Sequence, residues 1–384
     1  MRKLVTVRKI SEINDIKGAD RIKVAVVDGW EVVVKANEFV QGSYCVFFEI
    51  DSFIPVEDTR FEFMHSSSLR SYEGKKGVRV KTIKLRGQVS QGLALPVSAF
   101  PEIEDAISGL TEEEVLDSSF DELLGVVKYD TFTARRGSTG GPKIIPAHAA
   151  GAFPWYIPKT DEERIENLWQ KRERLCDGDI SKQFYYTLKV DGSSTTVFLA
   201  DERLGYYDGI DIDENGFQAV VCSRNLALKY DADATFWKAV ESSGVIAAIK
   251  AIKKATGRTL AIQGETLAPC IQGGREKFEE PTFLAFCAYD IDEHKYLSYN
   301  EFIKIMDYWD IPRVPVLKGG SPFTEFSTIN EMKDFVDTIK ENFGDDVFAD
   351  VPEGIVFHPV SEAGNSSRKS FKCISRKYLL ATGE

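Results

Sequence analysis

The sequence predicts an α+β protein with a β-rich N-terminal module and a larger C-terminal domain of largely antiparallel sheets. Short runs of β-branched and aromatic residues, separated by tight turns, fill the first hundred of the 384 residues. From Phe184 onward, strand-like and helix-like segments mix without the regular alternation that a parallel sheet requires. These two observations define the predicted fold class.

The N-terminal module, residues 1–125, is predicted to be a small closed β-barrel of the OB type. Its strand-like segments are "KLVTVRKI", "RIKVAVVDGWEVVVK", "SYCVFFEI", "GVRVKTIKL" and "GLALPV". Asp28-Gly29 between two β-rich runs is a strong hairpin signal, and short strands in this number suit an OB barrel. Acid-rich helical turns from Glu102 to Leu124 follow the strands.

Residues 126–160 are predicted to form an extended connector. The segment "TARRGSTGGPKIIPAHAAGAFPWYIPKT" is rich in glycine and proline and lacks a helical period. The C-terminal domain, residues 161–384, then opens with "TDEERIENLWQKRERL". This segment predicts one helix, because Thr160 or Asp161 can cap it and its early acids suit the positive end of a helix.

The rest of the C-terminal domain mixes predicted helices and strands. One amphipathic helix that ends at a glycine is predicted in "FWKAVESSGVIAAIKAIKKATG". Further helices are predicted in "SYNEFIKIMDYWDI" and "INEMKDFVDTIKENFG". Strands are predicted in "TLAIQGETLA", "PTFLAFCAYDID", "EGIVFHPV" and "KSFKCISRKYLL".

The composition is that of an ordinary globular protein, with 43% apolar and 28% charged residues. No apolar run approaches the ~18 residues of a membrane helix, and the N-terminus lacks the features of a signal peptide. The six scattered cysteines fit reduced thiols, and the presence of only four histidines argues against a histidine-based metal centre. We therefore expect a cytoplasmic protein with no membrane partner, and no obligate protein partner is evident.

The net charge of −12 argues at first against a nucleic-acid partner, because phosphate binding needs positive surface. However, three long segments, 74–101, 131–160 and 363–383, contain no aspartate or glutamate. The first of them carries six cations: Lys75, Lys76, Arg79, Lys81, Lys84 and Arg86. An acidic protein can still present such a basic face, although ordinary solvated surface charge stays an alternative for this segment.

The stretch "YYTLKVDGSSTTVF" places one lysine, Lys189, at the end of a run of strand formers. Lysine is poor strand material, so one explanation is an edge-strand lysine that limits aggregation beside a turn. The other explanation is chemical. Asp191 and the serines would organise the turn, and Gly192 would let the backbone approach a ligand closely.

Six short blocks decide between the two explanations, because together they resemble the nucleotidyltransferase motifs of covalent polynucleotide ligases. They are "KVDGSS", "CSRN", "IQGETLAPCIQGG", "FCAYDID", "PEGIVFHP" and "SFKCISRKYLL", in this order. Among these ligases, the chain resembles ATP-dependent RNA ligases with an N-terminal OB-like module. The resemblance covers Phe153 to Leu380 and, more weakly, the N-terminal region. It implies that residues 161–384 form an antiparallel-sheet nucleotidyltransferase domain.

The resemblance implies that Lys189 attacks the α-phosphate of ATP and becomes adenylylated, with Leu188 beside it in the nucleotide site. The attacking amine must be neutral, whereas free lysine titrates near ~10.4. Partial desolvation and nearby cations are therefore expected to lower its pKa.

Three further residues are implied to hold the nucleotide. Arg224 would contact phosphate or ribose oxygens, and Glu265 would accept hydrogen bonds from the ribose hydroxyls. Tyr289 would stack on adenine, with Phe286 as a rival ring. An ordinary strand-end arginine and ordinary core rings stay open as alternatives.

Glu353 and Lys372 are implied to complete the catalytic set. Glu353 would help to bind Mg²⁺ or Mn²⁺ and would engage Lys189, and Lys372 would contact the α- and leaving phosphates. Where some ligases have two lysines one residue apart, this chain has Lys372-Cys373-Ile374. Either Lys377 takes the place of the second lysine, with Lys369 as a weaker candidate, or one contact is absent.

The predicted function is an ATP-dependent RNA ligase that seals 3′-hydroxyl and 5′-phosphate ends in a nicked duplex or an RNA–DNA hybrid. Arg79, Lys81, Lys84 and Arg86 of the barrel are expected to bind the nucleic-acid backbone. The alternatives are a DNA ligase, a GTP-using capping enzyme, or a non-catalytic RNA-binding protein. Both enzyme alternatives usually carry a C-terminal OB domain, for which no residues remain after the last block.

Overall fold

The computed structural model describes residues 2–129, 146–344, 347–360 and 369–383. The chain divides into two compact units. The first comprises Met1–Lys143, Glu166–Gln170 and Arg376–Glu384, and the second comprises Ile144–Ile165 and Lys171–Ser375. The units therefore differ from the predicted domains, because two segments of the predicted C-terminal domain group with the first unit. Residues 130–145 of the predicted connector lie outside the described residues.

The first unit contains a five-stranded antiparallel sheet in the order β10-β4-β1-β2-β3, a four-stranded sheet in the order β11-β5-β7-β6, and the hairpin β8-β9. Its strands are β1 Val5–Ile16, β2 Ala19–Val27, β3 Trp30–Lys35, β4 Tyr44–Phe48, β5 Ser52–Pro55, β6 Leu69–Tyr72, β7 Lys75–Arg79, β8 Ile83–Leu85, β9 Gln88–Ser90, β10 Leu93–Pro96 and β11 Val127–Lys128. Fully buried side chains of the two larger sheets, among them Val46, Phe48 and Ile54, form one core cluster.

The sequence predicted the β2–β3 hairpin, and Asp28 does adopt the left-handed backbone (φ 51°) that such a turn requires. The predicted single strand "GVRVKTIKL" is instead divided between β7 and β8, which belong to different sheets. A two-residue turn at Arg86 (φ 51°) and Gly87 (φ 88°) folds β8 back on β9, so this segment forms its own hairpin.

The second unit contains two sheets. The seven-stranded sheet has the order β12-β17-β16-β15-β18-β19-β20, and the five-stranded sheet has the order β13-β23-β22-β14-β21. Their strands are β12 Ala149–Ala152, β13 Glu163–Arg164, β14 Phe184–Lys189, β15 Ser193–Ala200, β16 Gln218–Cys222, β17 Leu226–Leu228, β18 Leu260–Leu267, β19 Thr282–Asp290, β20 Lys295–Tyr296, β21 Val316–Gly320, β22 Gly354–Pro359 and β23 Phe371–Ile374. All neighbours pair antiparallel except β13 and β23.

The helices are short. The α-helices are His65–Ser68, Pro101–Ile107, Glu112–Asp117, Ile165–Leu168, Arg172–Leu175, Thr235–Ser242, Val245–Thr256, Tyr299–Tyr308, Pro322–Glu325, Ile329–Asp337, Ile339–Phe343 and Arg376–Thr382. The 3₁₀ turns are Thr59–Met64, Val97–Ala99, Trp169–Lys171 and Gln272–Gly274. In the described part of the chain, no helix has the length and apolar character needed to cross a membrane.

Predicted elements of the C-terminal domain also differ from the structure. The helix predicted in "FWKAVESSGVIAAIKAIKKATG" is interrupted, because Gly244 adopts a left-handed backbone (φ 71°) between Thr235–Ser242 and Val245–Thr256. The helix predicted in "TDEERIENLWQKRERL" begins as strand β13, because Arg164 pairs with Lys372 of β23, and continues in short helical turns. The last predicted strand ends at Ile374, and the helix Arg376–Thr382 follows.

Candidate active site

Lys189 is the last residue of β14, and it lies beside Glu353. Backbone pairing between β14 and β22 sets Lys189 opposite Gly354, the residue that follows Glu353. The Lys189 Nζ is 2.7 Å from a carboxylate oxygen of Glu353, and the two side chains are 26% and 13% exposed. A side chain at Gly354 would collide with the carbonyl of Cys373 on β23. Glycine at this position therefore lets β22 lie close to β23.

The turn after Lys189 links the two sheets of the second unit, because β14 belongs to the five-stranded sheet and β15 to the seven-stranded sheet. Gly192 in this turn lies close to β18. A Cβ atom there would stand 2.6 Å from the Glu265 Cγ and from the carbonyl oxygen of Thr266. The close approach made by Gly192 in this structure is thus to β18, next to Glu265, whereas the sequence suggested an approach to a ligand.

The charges around Lys189 act against the expected loss of its proton. Burial favours the neutral amine, but Glu353, Glu265 and Asp191 outweigh burial and hold the pKa of Lys189 above its ordinary value. The prediction of a lowered pKa is therefore corrected, because the charges of three carboxylates act on the amine. The carboxylates are perturbed as well. Burial raises the pKa of Glu265 to about 8 and also raises the pKa of Glu353.

Lys372 and Arg224 meet at a shared acid, Asp161. The Lys372 Nζ donates a hydrogen bond to Asp161 at 3.0 Å, and a guanidinium nitrogen of Arg224 lies 3.8 Å from the same carboxylate. Lys372 is largely buried, and burial together with the cations Arg164 and Lys189 lowers its pKa despite the opposing effect of Asp161. The structure therefore brings together two of the predicted phosphate-binding cations, one from each sheet.

The predicted aromatic rings lie on β19. Its register pairs Tyr289 with Ala261 of β18, and Ala261, Gln263 and Glu265 alternate onto one face of the sheet. Tyr289 therefore shares the face of Glu265, where its ring packs 5.1 Å from the ring of Tyr296 and is 6% exposed. Phe286 is half-buried at an irregularity of the β18–β19 register.

Leu188, Lys369 and Lys377, the other residues predicted for the nucleotide site, differ in their burial and contacts. Leu188 is buried, and its backbone N–H donates to the carbonyl of Pro315 at 3.0 Å. Lys369 forms an ion pair with Asp177. Lys377 is exposed on the helix Arg376–Thr382, which belongs to the first unit. The role of Lys377 as a second phosphate contact stays a prediction.

The four predicted nucleic-acid-binding residues of the first unit differ in accessibility. Arg79 pairs with Asp51 at 2.8 Å and lies over the Tyr129 ring at 4.8 Å. Lys81 is half-buried, whereas Lys84 and Arg86 are exposed on the β8–β9 hairpin. Of these four residues, the two on the hairpin are therefore the most accessible to a phosphate backbone.

Three residues of the site were missed from the sequence: Asp161, Arg275 and Glu276. Arg275 forms an ion pair with the carboxylate of Asp191, and Glu276 accepts the backbone N–H of Asp191 at 2.7 Å. Burial raises the pKa of Glu276 to about 7. In the sequence these two residues belong to "GGREKF", which looks like ordinary surface charge, and Asp161 looks like a helix cap. No local signal identifies their contacts.

The acids near Lys189 suit a divalent cation such as Mg²⁺ or Mn²⁺. Among the described residues, no group of three or more histidine, cysteine, aspartate or glutamate side chains is arranged to hold a metal ion. Mg²⁺ usually keeps several waters and binds through one or two carboxylates together with substrate phosphates. A site with Glu353 as its main acid fits this mode of binding.

Two family models match the chain. An OB-fold domain model matches residues 4–97, and the RNA ligase model matches residues 182–374. No curated protein sequence matches the chain. Because the RNA ligase model covers half of the chain and includes every block from Lys189 to Lys372, the chain belongs to the RNA ligase family.

Solved structures of Naegleria gruberi RNA ligase are similar over almost the full length. A lysine-to-methionine variant with AMP and Mn is 32% identical over 98% of both chains, with a TM-score of 0.76. A lysine-to-alanine variant with ATP and Mn is 33% identical over 98% of both chains, with a TM-score of 0.77. Together with the family models, these matches confirm the predicted family, the α+β fold with an N-terminal OB module, and the class of enzyme.

Proposed function

We propose that the protein is an ATP-dependent RNA ligase that joins a 3′-hydroxyl to a 5′-phosphate, at nicks in a duplex, through a lysyl-AMP intermediate on Lys189. The observation that carries this proposal is the convergence of Lys189, Glu353, Glu265 and Lys372 where the two sheets of the second unit meet. The similar Naegleria ligase structures with ATP, AMP and Mn support the choice of nucleotide and of cation.

In the first step, the Lys189 Nζ attacks the α-phosphorus of ATP. The ammonium group first releases a proton to solvent. The neutral amine then forms a phosphorus–nitrogen bond as the bond to pyrophosphate breaks, and the nitrogen releases its second proton to solvent. Lys372 and Arg224 neutralise phosphate charge during this step, and Asp161 gives up its contacts with them to the phosphates. Glu265 accepts hydrogen bonds from the ribose hydroxyls.

Proton loss is the difficult part of this step, because three carboxylates favour the charged form of Lys189. Glu353 would hold a divalent cation, which when bound would supply positive charge that offsets these carboxylates and the phosphates. Glu353 itself holds the Lys189 Nζ at 2.7 Å and so keeps the amine in one place.

In the second step, an oxygen of the RNA 5′-phosphate attacks the AMP phosphorus, and the bond to Lys189 breaks. The 3′-hydroxyl then attacks the adenylylated 5′-phosphate, and AMP leaves. Both steps reuse the same cations, because each develops negative charge on phosphate oxygens.

One labelling experiment tests the proposal. The purified protein is incubated with α-labelled ATP or α-labelled GTP and a divalent cation, and label bound to the protein is measured on a denaturing gel. We expect transfer of label from ATP, followed by its release when a nicked RNA duplex is added. Label from GTP alone, or no label, would contradict the proposal.

The first unit is proposed to hold the duplex through Lys81, Lys84 and Arg86, with Arg79 as a weaker contributor. Alanine at the first three positions should weaken binding to nicked duplex while ATP labelling remains. The slope of log affinity against log salt is negative, and each lost phosphate contact should make it shallower by about 0.9. A salt titration of duplex binding measures this slope.

Two comparisons make the salt titration specific. Adding Arg79→Ala to the triple variant should change the salt slope little further, because Arg79 is paired with Asp51. Alanine at Lys23 and Lys35, which pair with acids of the same unit, should leave the slope unchanged. An unchanged slope for the triple variant would show that these three residues do not bind the RNA backbone.

Tyr289 is proposed to stack on adenine, with Phe286→Leu as the matched comparison. Tyr289→Leu should raise the ATP concentration needed for half-maximal labelling by about 5- to 10-fold, since an aromatic contact of this kind contributes about 1–1.5 kcal/mol. Tyr289→Phe should stay near wild type because the ring is kept. If Phe286→Leu instead shows the defect, Phe286 is the stacking ring.

A further inference from the structure

A short segment after β18 contacts the turn that follows Lys189. The 3₁₀ turn Gln272–Gly274 ends in two glycines with left-handed backbones, and Arg275 and Glu276 come next. Both of these side chains reach Asp191. Arg275 pairs with its carboxylate, and Glu276 accepts its backbone N–H at 2.7 Å. Gln272 also donates to the carbonyl of Gly192 at 3.4 Å.

Glu276 occupies an unfavourable place for an acid. It is 5% exposed, and its second carboxylate oxygen has no hydrogen-bond partner within the part of the chain that the structure describes. Buried carboxylates are costly when they are incompletely paired. The Glu276 carboxylate accepts a hydrogen bond from the Asp191 N–H at 2.7 Å. This hydrogen bond is a physical reason for an acid at this buried position.

The contacted backbone determines where Lys189 points. Lys189 is fixed on one side by its pairing with Gly354 in β22, and Gly192 is fixed on the other side by its packing against β18. Asp191 lies between these two fixed points and is 9% exposed. Without an acceptor, its buried N–H would favour another backbone conformation, because buried N–H groups are almost always paired. That change would alter the backbone directly after Lys189 and with it the direction in which the Lys189 side chain is held.

We propose that Glu276 is a positioning residue for nucleotidyl transfer, because its hydrogen bond to the Asp191 N–H holds the turn that aims Lys189 at the α-phosphate. This inference rests on the proposed function. Because Glu276 acts through the backbone of Asp191, it should affect the rate at which Lys189 attacks and not the affinity for ATP.

The test compares two substitutions of similar size. Glu276→Gln keeps an oxygen that can accept the Asp191 N–H, whereas Glu276→Met has no such acceptor. Single-turnover transfer of AMP from α-labelled ATP is measured over a range of ATP concentrations, which separates the maximal rate from the half-saturating concentration. Lys277→Ala, a change of the exposed neighbour that pairs with Asp350, is the control.

We expect Glu276→Met to lower the maximal rate by about 10- to 100-fold, with less than about a 3-fold change in half-saturating ATP, because one buried donor loses its acceptor. Glu276→Gln should stay within about 3-fold of wild type. A Met variant that transfers AMP at the wild-type rate would overturn the inference, and so would a Gln variant as slow as the Met variant.

Two further measurements keep the result interpretable. Thermal melts identify a variant that fails to fold, and Glu276→Ala, which also lacks an acceptor but cannot clash, then replaces the Met variant. Wild-type protein that takes no label from ATP would contradict the proposed function itself. Labelled wild type together with a fully active Glu276→Ala would contradict only the role of Glu276.

Discussion

Lys189→Ala should abolish formation of the covalent enzyme–AMP adduct, with a loss of at least about 10³-fold. The other amine near Glu353, that of Lys372, donates a hydrogen bond to Asp161 at 3.0 Å, so it is not in place as a replacement nucleophile. The measurement is label transferred from α-labelled ATP to the protein. Lys318→Ala, on the neighbouring strand β21, removes a lysine that pairs with Glu325 and should leave labelling intact.

The same variant separates the chemical steps. Lys189→Ala should seal a nick that is already adenylylated better than it seals an ordinary nick, because the last step needs no lysyl-AMP bond. Retention of label by the alanine variant would show that another residue is the nucleophile. Equal failure on both substrates, with an intact fold, would show that Lys189 also serves the last step.

The place of Lys189 at a strand end before a turn was predictable because it is encoded locally, and its role as nucleophile stays a prediction. A nucleophile needs a rigid strand end and a turn that leaves room beside it, and "KVDGSS" provides both within a few residues. The hairpin at Asp28 is similar, since the turn conformation follows from the residues of the turn. The match of the RNA ligase model to residues 182–374 shows that the motif order was also informative.

The surroundings of Lys189 were not predictable in the same way. The contact between Glu276 and Asp191 joins residues 85 positions apart. The raised pKa of Lys189 depends on carboxylates from positions 191, 265 and 353, which only the folded sheets bring together. The helix predicted from "TDEERIENLWQKRERL" failed for a related reason. Pairing of Arg164 with β23 outweighs the helical preference of the segment.

Glu353→Ala is expected to be the second most damaging substitution, with AMP transfer falling by more than about 100-fold. High ATP should not restore the rate, and additional divalent cation should restore little, because the side chain that positions the amine is missing. Glu265→Ala is the comparison. It should mainly weaken nucleotide binding, by the roughly 1.5–3 kcal/mol of a hydrogen bond to a charged group.

Glu353→Gln tests why the acid is needed. Glu353 is among the carboxylates that raise the pKa of Lys189, so removing its charge should lower that pKa and increase the neutral fraction of the amine. If Glu353 acted only as a counter-ion of Lys189, the Gln variant would therefore transfer AMP faster than wild type, by a similar factor at every pH well below the pKa of Lys189. We expect the opposite, a defect close to that of Glu353→Ala at every pH. A carboxylate that both orients the amine and helps to bind the divalent cation cannot be replaced by an amide. A Gln variant faster than wild type would assign Glu353 an inhibitory role and would place the cation elsewhere.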